Sequence, residues 1–400
     1  MVMTERPVSI SLLLMVLMLF SYGCQDRGKA ARVRFELIDG VQHVINSGEP
    51  VRGKIPLEVS EVLRIDPDRV SPEDPPLFQM AVKDQAGNIY LADVQNVRVY
   101  KFGPQGALVS RFLAKGQGPG EFPRFGDLQI VGGHVWVIGN WPMKIAKFSL
   151  DGRFVDEWAF PTFRNFYLRT LVIGEDRFLT VGYQDLPNGR NRVRVSVLLS
   201  SREEFLLRYH EDAEAGIFRL QIGVEGGPAI VSTDPLIAAD IHHAVDRRSG
   251  AVYVCSNKKY QIWSKGPDGT TRLVIHRTSN GVGLNEAAKD RMLDEIAPQL
   301  PLEARQRAKQ AISSTMNAIR GISVLPNGIL AVKRFTGLHA VEIDLIDDQG
   351  RLLYTVVPSA VIPDLRNVTI FGKTIGLISE AGEKNIYVEY RWKSPRGLFE

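Results

Sequence analysis

Residues 87–112 read GNIYLADVQNVRVYKFGPQGALVSRF, and residues 133–158 read GHVWVIGNWPMKIAKFSLDGRFVDEW. An offset of 46 residues aligns the two stretches without a gap. Similar residues coincide at two glycines, one aromatic position and one Lys-Phe pair, namely Gly87/Gly133, Gly106/Gly152, Tyr90/Trp136 and Lys101-Phe102/Lys147-Phe148. Each stretch alternates apolar and polar residues, breaks at a turn and alternates again, which predicts antiparallel strand-turn-strand units.

Further copies of this unit follow along the chain. A third is GAVYVCSNKKYQIWSKGPDGTTRLVI at 250–275, and weaker copies lie at 176–207, 327–356 and 385–392. Six small, strongly twisted sheets form a β-propeller when the ring closes and protects their edges. We therefore predict one propeller over residues 33–400, with strands within 33–66 completing the last blade and closing the ring.

The first copy also carries a family resemblance. AVKDQAGNIYLADVQNVRVYKFGPQG at 81–106, followed by KGQGPGEF at 115–122, resembles the NHL repeat of six-bladed β-propellers, particularly those of bacterial secreted lipoproteins. The resemblance implies an all-β, six-bladed fold. Within the second string, Gly116, Gly118 and Gly120 are expected to adopt positive φ in a loop between blades.

Composition excludes several classes of protein. The chain has 400 residues, is 44% hydrophobic and 24% charged, and is therefore a folded globular protein. A formal net charge of +4 indicates no nucleic-acid partner. Its 2 cysteines, Cys24 and Cys255, cannot build a disulfide framework or a cysteine-rich zinc site.

The N-terminus predicts an extracytoplasmic location. Residues 1–23 combine one arginine with an apolar run too short to span a bilayer, which is typical of a secretory signal. Ser-Tyr-Gly-Cys, ending at Cys24, resembles the lipobox of bacterial lipoproteins, so Cys24 is the predicted lipidation site and residues 24–32 a polar tether. The resemblance implies a lipid anchor in the cell envelope, facing the periplasm or the cell exterior. Gln25 favours the outer membrane in a diderm host. The alternative is an ordinary cleaved signal with an incidental cysteine.

One segment breaks the β pattern. Residues 284–316 contain two amphipathic segments separated by Pro298 and Pro301, which predict an inserted helical hairpin. The hairpin either packs on the propeller side or forms a lid or partner-binding protrusion over one face. In the second case, its basic residues Arg305, Arg307 and Lys309 are candidates for binding a protein partner.

The sequence gives little support for a catalytic site. His242 and His243 begin the fourth copy, and related lyase and lactonase propellers hold a metal in the central channel. Adjacent strand residues point to opposite faces, however, and equivalent positions in other copies are mainly apolar or small. A three-ligand catalytic zinc site is therefore not expected. His242, His243 and Asp240 remain the candidates for a structural calcium or zinc ion, and no other cofactor is predicted.

Two functions follow from these observations. The first is a membrane-anchored, non-catalytic binding or scaffolding module for a protein, small-molecule or polymer ligand. The alternative is a metal-dependent lyase or hydrolase with its site in the central channel. We favour the first because no catalytic residue set is recognisable, and function in such folds resides in sites rather than in the fold itself.

Overall fold

A computed structural model describes most of the chain after the N-terminal segment. The described residues are 32–140, 143–160, 169–185, 192–202, 204–212, 240–278, 282–296, 298–381 and 384–398. The predicted signal, the predicted lipidation site Cys24 and the predicted tether up to residue 31 lie outside them. Among the described residues, none of the helices is long and apolar enough to cross a membrane.

The chain forms six blades of antiparallel strands, which confirms the predicted all-β, six-bladed propeller. In blades 1 to 5, four successive strands run from the inside of the ring to the outside. Blade 1 comprises β5 (Met80–Lys83), β6 (Ile89–Asp93), β7 (Arg98–Phe102) and β8 (Leu108–Phe112). After the short strands β9 (Ala114–Lys115) and β10 (Glu121–Phe122), blade 2 comprises β11 (Asp127–Val131), β12 (His134–Asn140), β13 (Met143–Ser149) and β14 (Phe154–Ala159). Blade 3 comprises β15 (Arg169–Val172), β16 (Arg177–Asp185), β17 (Arg192–Ser200) and β18 (Phe205–Asp212).

The remaining blades follow the same plan. Blade 4 comprises β19 (Ile241–Asp246), β20 (Ala251–Ser256), β21 (Gln261–Lys265) and β22 (Thr271–Thr278). Blade 5 comprises β23 (Ile319–Val324), β24 (Leu330–Phe335), β25 (Val341–Ile346) and β26 (Leu352–Val357). Blade 6 takes three strands from the C-terminal segment, β27 (Val368–Ile370), β28 (Thr374–Ala381) and β29 (Lys384–Trp392).

The N-terminal segment wraps the outer edges of three blades, and we call residues 33–65 the N-terminal strap. Its strands are β1 (Val33–Ile38), β2 (Val41–Ser47), β3 (Lys54–Pro56) and β4 (Val59–Ile65), followed by the short helix α1 (Pro67–Val70). β2 pairs in parallel with β22, β3 in parallel with β26, and β4 antiparallel with β29. The last pairing makes β4 the fourth strand of blade 6 and closes the ring between the two ends of the chain.

Asn46 on β2 fixes the strap with buried hydrogen bonds. Its amide nitrogen donates to the backbone oxygens of His276 and Gly350, at 3.1 and 2.9 Å. Its side-chain oxygen accepts from the backbone nitrogen of Leu352 at 2.8 Å. One side chain therefore links the strap to both blade 4 and blade 5.

The repeated glycines allow neighbouring blades to approach closely. Gly152, in the turn between the third and fourth strands of blade 2, has a φ of +82°. A Cβ atom there would lie 2.6 Å from the ring of Phe112, on the outer strand of blade 1. Glycine is therefore required at this position both by backbone conformation and by contact between blades.

Contacts of the repeated aromatic and lysine positions also join blades. The Tyr90 hydroxyl of blade 1 donates to the backbone oxygen of Leu150 in blade 2 at 3.0 Å. The amine of Lys101 lies 5.8 Å from the centre of the Tyr90 ring and 3.3 Å from the Asp151 carboxylate. The repeat visible in the sequence thus encodes the interface between consecutive units as well as each unit itself.

The GQGPGEF loop differs in part from expectation. Gly120 has a φ of +71°, as predicted, but the described backbone gives no positive φ at Gly116 or Gly118. At Gly116 the reason for glycine is space, because a Cβ atom would lie 2.0 Å from the Glu121 carboxylate. That carboxylate accepts a 2.9 Å hydrogen bond from the backbone nitrogen of Gly118.

The inserted helical hairpin is confirmed, with helices α2 (Glu286–Ile296) and α3 (Leu302–Ala311). Its inward-facing side chains are buried in one cluster with residues of blades 5 and 6, and they include Leu284, Ala288, Met292, Leu293, Ala304, Ala308 and Ile312. The hairpin lies in the connection between blades 4 and 5. In this up-and-down topology, such connections share one face of the ring, here called the upper face, with the turns between second and third strands.

Candidate functional site at the upper mouth of the central channel

Polar side chains surround the upper end of the channel. Each blade contributes one polar residue at the start of its first strand or directly before it, in the order Gln79, Asp127, Arg169, Asp240, Arg320 and Asn367. First strands of a propeller lie around the central axis, so these positions recur once per blade at the same height. We call this set the polar ring.

Two adjoining cavities open beside the polar ring. One, of about 390 Å³, lies between blades 5 and 6 and is lined in part by Arg169, Arg320 and Lys333. The other, of about 430 Å³, extends toward blades 1 and 2 and is lined in part by Asp127, Lys333 and Arg366. Because Lys333 lines both, the cavities meet at its side chain. Volumes of this size fall within the range of small-molecule sites.

Three cations line the wall formed by blades 5 and 6, and we call Arg320, Lys333 and Arg366 the basic arc. The guanidinium of Arg366 contacts the Asp364 carboxylate at 2.7 Å. The guanidinium of Arg320 lies 6.0 Å from the centre of the Phe335 ring, where the face of the ring favours a cation. The basic arc thus brings together residues from β23, β24 and the segment before β27.

Lys333 is the unusual member of the arc. Its amine donates a 2.9 Å hydrogen bond to the backbone oxygen of Arg366, and no carboxylate of the described residues lies within ion-pair distance. By contrast, Lys83 of blade 1 contacts the Glu389 carboxylate at 2.5 Å. Burial and, to a lesser extent, the charge of Arg320 lower the pKa of Lys333 to about 8, against a smaller opposing effect of Asp364.

The acids of the polar ring are already engaged. Asp240 accepts a contact from the Arg169 guanidinium at 3.3 Å, which joins blades 3 and 4. Asp127 accepts 2.8 and 2.7 Å hydrogen bonds from the backbone nitrogen of Leu128 and the side chain of Gln129. Burial nevertheless raises the pKa of Asp127, since desolvation outweighs these bonds and the charge of Arg169. Both acids thus contact groups that lie outside the basic arc.

The predicted metal candidates lie on the blade 3–blade 4 side of the channel. His242 and His243 are both buried on β19, paired with Cys255 and Val254. The Nδ1 atom of His243 lies 3.4 Å from the Ser196 hydroxyl, while its Nε2 atom is buried and makes no hydrogen bond with any described residue. Burial and the charge of Arg169 lower the pKa of His243 to about 3, so its ring is neutral at physiological pH.

These candidates do not converge into a coordination set. In the described part of the chain, no three His, Cys, Asp or Glu side chains come close enough together to hold a metal ion. The Asp240 carboxylate faces the Arg169 guanidinium, which occupies the position that a cation would take. Cys255 is fully buried, and burial raises the pKa of its thiol to about 12.

The candidate binding residues of the helical hairpin are largely paired within it. Arg305 on α3 contacts the carboxylates of Asp290 and Asp294 on α2, at 3.3 and 2.7 Å. Lys309 contacts Asp290 at 2.8 Å and Glu286 at 3.3 Å. Arg307, also on α3, is exposed. Arg305 and Lys309 therefore cross-link the two helices.

The polar ring and the basic arc were not predicted from the sequence. Positions near the starts of the first strands, such as Met80, Leu128 and Ile322, are apolar. The usable signal lay one or two residues earlier, where a polar residue recurs in every copy. Lys333 gave no such signal, because lysine is ordinary at that place in a strand.

Comparison with known proteins supports the fold. The family model DUF5128, described as a 6-bladed beta-propeller, matches residues 73–177. No curated protein sequence matches the chain significantly. A Bacteroides fragilis NCTC 9343 protein described as exported is similar over 88% of this chain and 100% of its own, with a TM-score of 0.52 and 16% identity. A member of the duf4221 family from Bacteroides vulgatus ATCC 8482 covers 84% of this chain and 98% of its own, with a TM-score of 0.53 and 8% identity.

Enzymes of similar architecture are more distant. A gluconolactonase from Xanthomonas campestris is similar over 83% of this chain and 98% of its own, at 12% identity and a TM-score of 0.39. Similarities at these identities concern the fold and not the activity. The strand pairing and the matching family model together show that the chain is a six-bladed β-propeller.

Proposed function

We propose that the protein is a lipid-anchored, extracytoplasmic propeller of the NHL type, which binds an anionic ligand at the upper mouth of its channel without converting it. The ligand is a small carboxylate or phosphate compound, or the anionic end of a polymer. The observation that carries this proposal is the basic arc, which brings three cations from two blades to the wall of adjoining cavities.

Charge pairing supports an anion as the ligand. Asp364, which faces Lys333, already contacts Arg366. Lys333 has no carboxylate of the described residues within ion-pair distance, although its side chain is half-buried and burial lowers the pKa of its amine. Burying a cation without a counter-ion is unfavourable, and an anionic ligand would relieve this cost. Guanidinium groups also bind carboxylates and phosphates with directional, charge-assisted hydrogen bonds.

Titration calorimetry with citrate and with inorganic phosphate tests the site. Citrate is expected to bind at low ionic strength, more weakly as salt is added, because the attraction is electrostatic. Arg320→Gln is expected to weaken binding about tenfold or more, since it removes a charge-assisted contact worth more than about 1.4 kcal/mol. Arg111→Gln, on the outer strand of blade 1, is the control and should bind as the wild type does. Equal affinity in all three proteins, or no binding by the wild type, would refute the proposed site.

The anchor has a separate test. Cys24→Ser is expected to move the protein from the membrane fraction to the soluble fraction of cells that process lipoproteins, because it removes the acylated residue. Ser21→Thr, which keeps a small residue and leaves Cys24 in place, serves as the control. Retention of Cys24→Ser in the membrane fraction would contradict the anchor and leave the ligand site unaffected.

A further inference from the structure

The amine of Lys333 is placed differently from the other buried lysines. The amines of Lys144 and Lys147 contact the carboxylates of Glu157 and Glu175, at 2.6 and 2.7 Å. Lys333 instead faces two cavities and donates to a backbone oxygen, which needs only an N–H group and not a charge. A neutral amine retains its lone pair, and a neutral lysine in a cavity can act as a nucleophile toward a carbonyl group.

The groups around Lys333 indicate what such a carbonyl compound would carry. Arg320 lines the same cavity of about 390 Å³, and Arg366 lines the neighbouring cavity of about 430 Å³. A carboxylate held by one of these guanidiniums would place an adjoining carbonyl carbon beside the amine. A 2-oxo acid has its carboxylate and its carbonyl group on neighbouring carbons, which matches this combination of donors and nucleophile.

We infer that Lys333 binds 2-oxo acids covalently as a reversible imine, while the basic arc holds the ligand carboxylate. This inference rests on the proposed anion site. In this step the Lys333 nitrogen attacks the carbonyl carbon and forms a carbon–nitrogen bond. The two amine hydrogens pass to the carbonyl oxygen, which leaves as water as the carbon–nitrogen double bond forms. The step needs no oxidant or reductant, and hydrolysis returns the free amine and the unchanged ligand.

Reductive trapping tests this inference. The protein is incubated with pyruvate and cyanoborohydride, digested, and mapped by mass spectrometry. Rapid, saturable carboxyethylation at Lys333 is expected, at least about tenfold faster than at Lys265. Lys265 is a suitable internal reference, because burial also lowers the pKa of its amine but it lies on β21 away from both cavities. Equal labelling of the two lysines would overturn the inference.

Two further experiments distinguish a failure of this inference from a failure of the proposed function. Lys333→Arg keeps a cation that can donate to the Arg366 oxygen, so it should still bind citrate while losing the site-specific label. Lactate, which has a hydroxyl in place of the carbonyl, should compete with labelling at Lys333 without forming an adduct. If citrate binds and Lys333 stays unlabelled, the imine is refuted and the anion site stands. If citrate and lactate both fail to bind while Lys333 is labelled, the proposed function is refuted.

Discussion

The Lys333 amine lies 2.9 Å from the backbone oxygen of Arg366, a hydrogen bond that joins β24 of blade 5 to the segment leading into blade 6. This bond places a titratable group between two blades and beside the channel. Its formation does not depend on the charge of the amine, whereas burial of the charged form is unfavourable. Folding and ligand binding therefore both respond to the protonation of this group.

The stability of the wild type relative to Lys333→Met should rise with alkaline pH. The pKa of Lys333 is about 8 in the folded protein, below the ordinary value of 10.5. Between these values the unfolded chain binds more protons, so the free energy of unfolding increases as the pH rises. A gain on the order of 2 kcal/mol is expected between pH 7 and pH 10 from denaturant titrations. A difference in unfolding free energy that does not change with pH would contradict this expectation.

Acid should destabilise the protein through His243. Its pKa is about 3 when folded, against an ordinary value of 6.5, so the unfolded chain takes up the proton first as the pH falls. Stability is therefore lost from about pH 6.5 downward. In His243→Gln, the dependence of unfolding free energy on pH should be shallower by about 1.4 kcal/mol per pH unit over this range. His134→Gln, in a half-exposed position on blade 2, is the control and should retain the wild-type slope.

Substitution of Gly152, a glycine of the repeat, should show how closely blades 1 and 2 approach each other. Gly152→Ala combines a positive φ with a Cβ atom 2.6 Å from the Phe112 ring. Gly372→Ala has a similar φ of +87°, but a Cβ atom there meets no other atom within 4 Å. We expect losses of about 3 and about 1 kcal/mol, respectively, in thermal or chemical unfolding. Equal losses would mean that only the backbone conformation requires glycine at position 152.

Asn46→Ala should loosen the N-terminal strap. The substitution removes three hydrogen bonds and leaves the buried backbone groups of His276, Gly350 and Leu352 without this partner. A loss of about 2–4 kcal/mol is expected, with faster amide exchange confined first to β1 and β2. Gln42→Ala, at an exposed position of the same strand, should change stability by no more than about 0.5 kcal/mol. A similar loss in both variants would argue against a specific role for Asn46.

The features predicted from sequence are those with a local, repeated pattern. Gly106 and Gly152 lie 46 residues apart and both have a φ of +82°. The two turns adopt the same backbone conformation, which favours glycine. The helical hairpin was equally visible, since Leu284, Ala288 and Met292 recur at a spacing of four and are all buried.

The features that escaped prediction arise from distant parts of the chain. Arg320, Lys333 and Arg366 form the basic arc because blade 6 packs beside blade 5, which brings three separate segments to one wall of the channel. Likewise, the parallel pairing of β2 with β22 depends on edge hydrogen bonds, which leave no periodic pattern in either strand. Position along the axis of the propeller, and not residue type alone, distinguished the channel residues from ordinary strand residues.

The strap also sets the order in which the molecule can fold during synthesis. Its strands leave the ribosome first, yet β2, β3 and β4 pair with residues 273–278, 355–357 and 387–392, which are made late. Contacts of such high sequence separation form slowly and only after the intervening chain exists. β2 and β3 can therefore pair once blades 4 and 5 have been made, whereas β4 waits unpaired for the final strand, and its pairing with β29 completes the fold in one late event. The ring therefore stays open until synthesis of the chain is nearly complete.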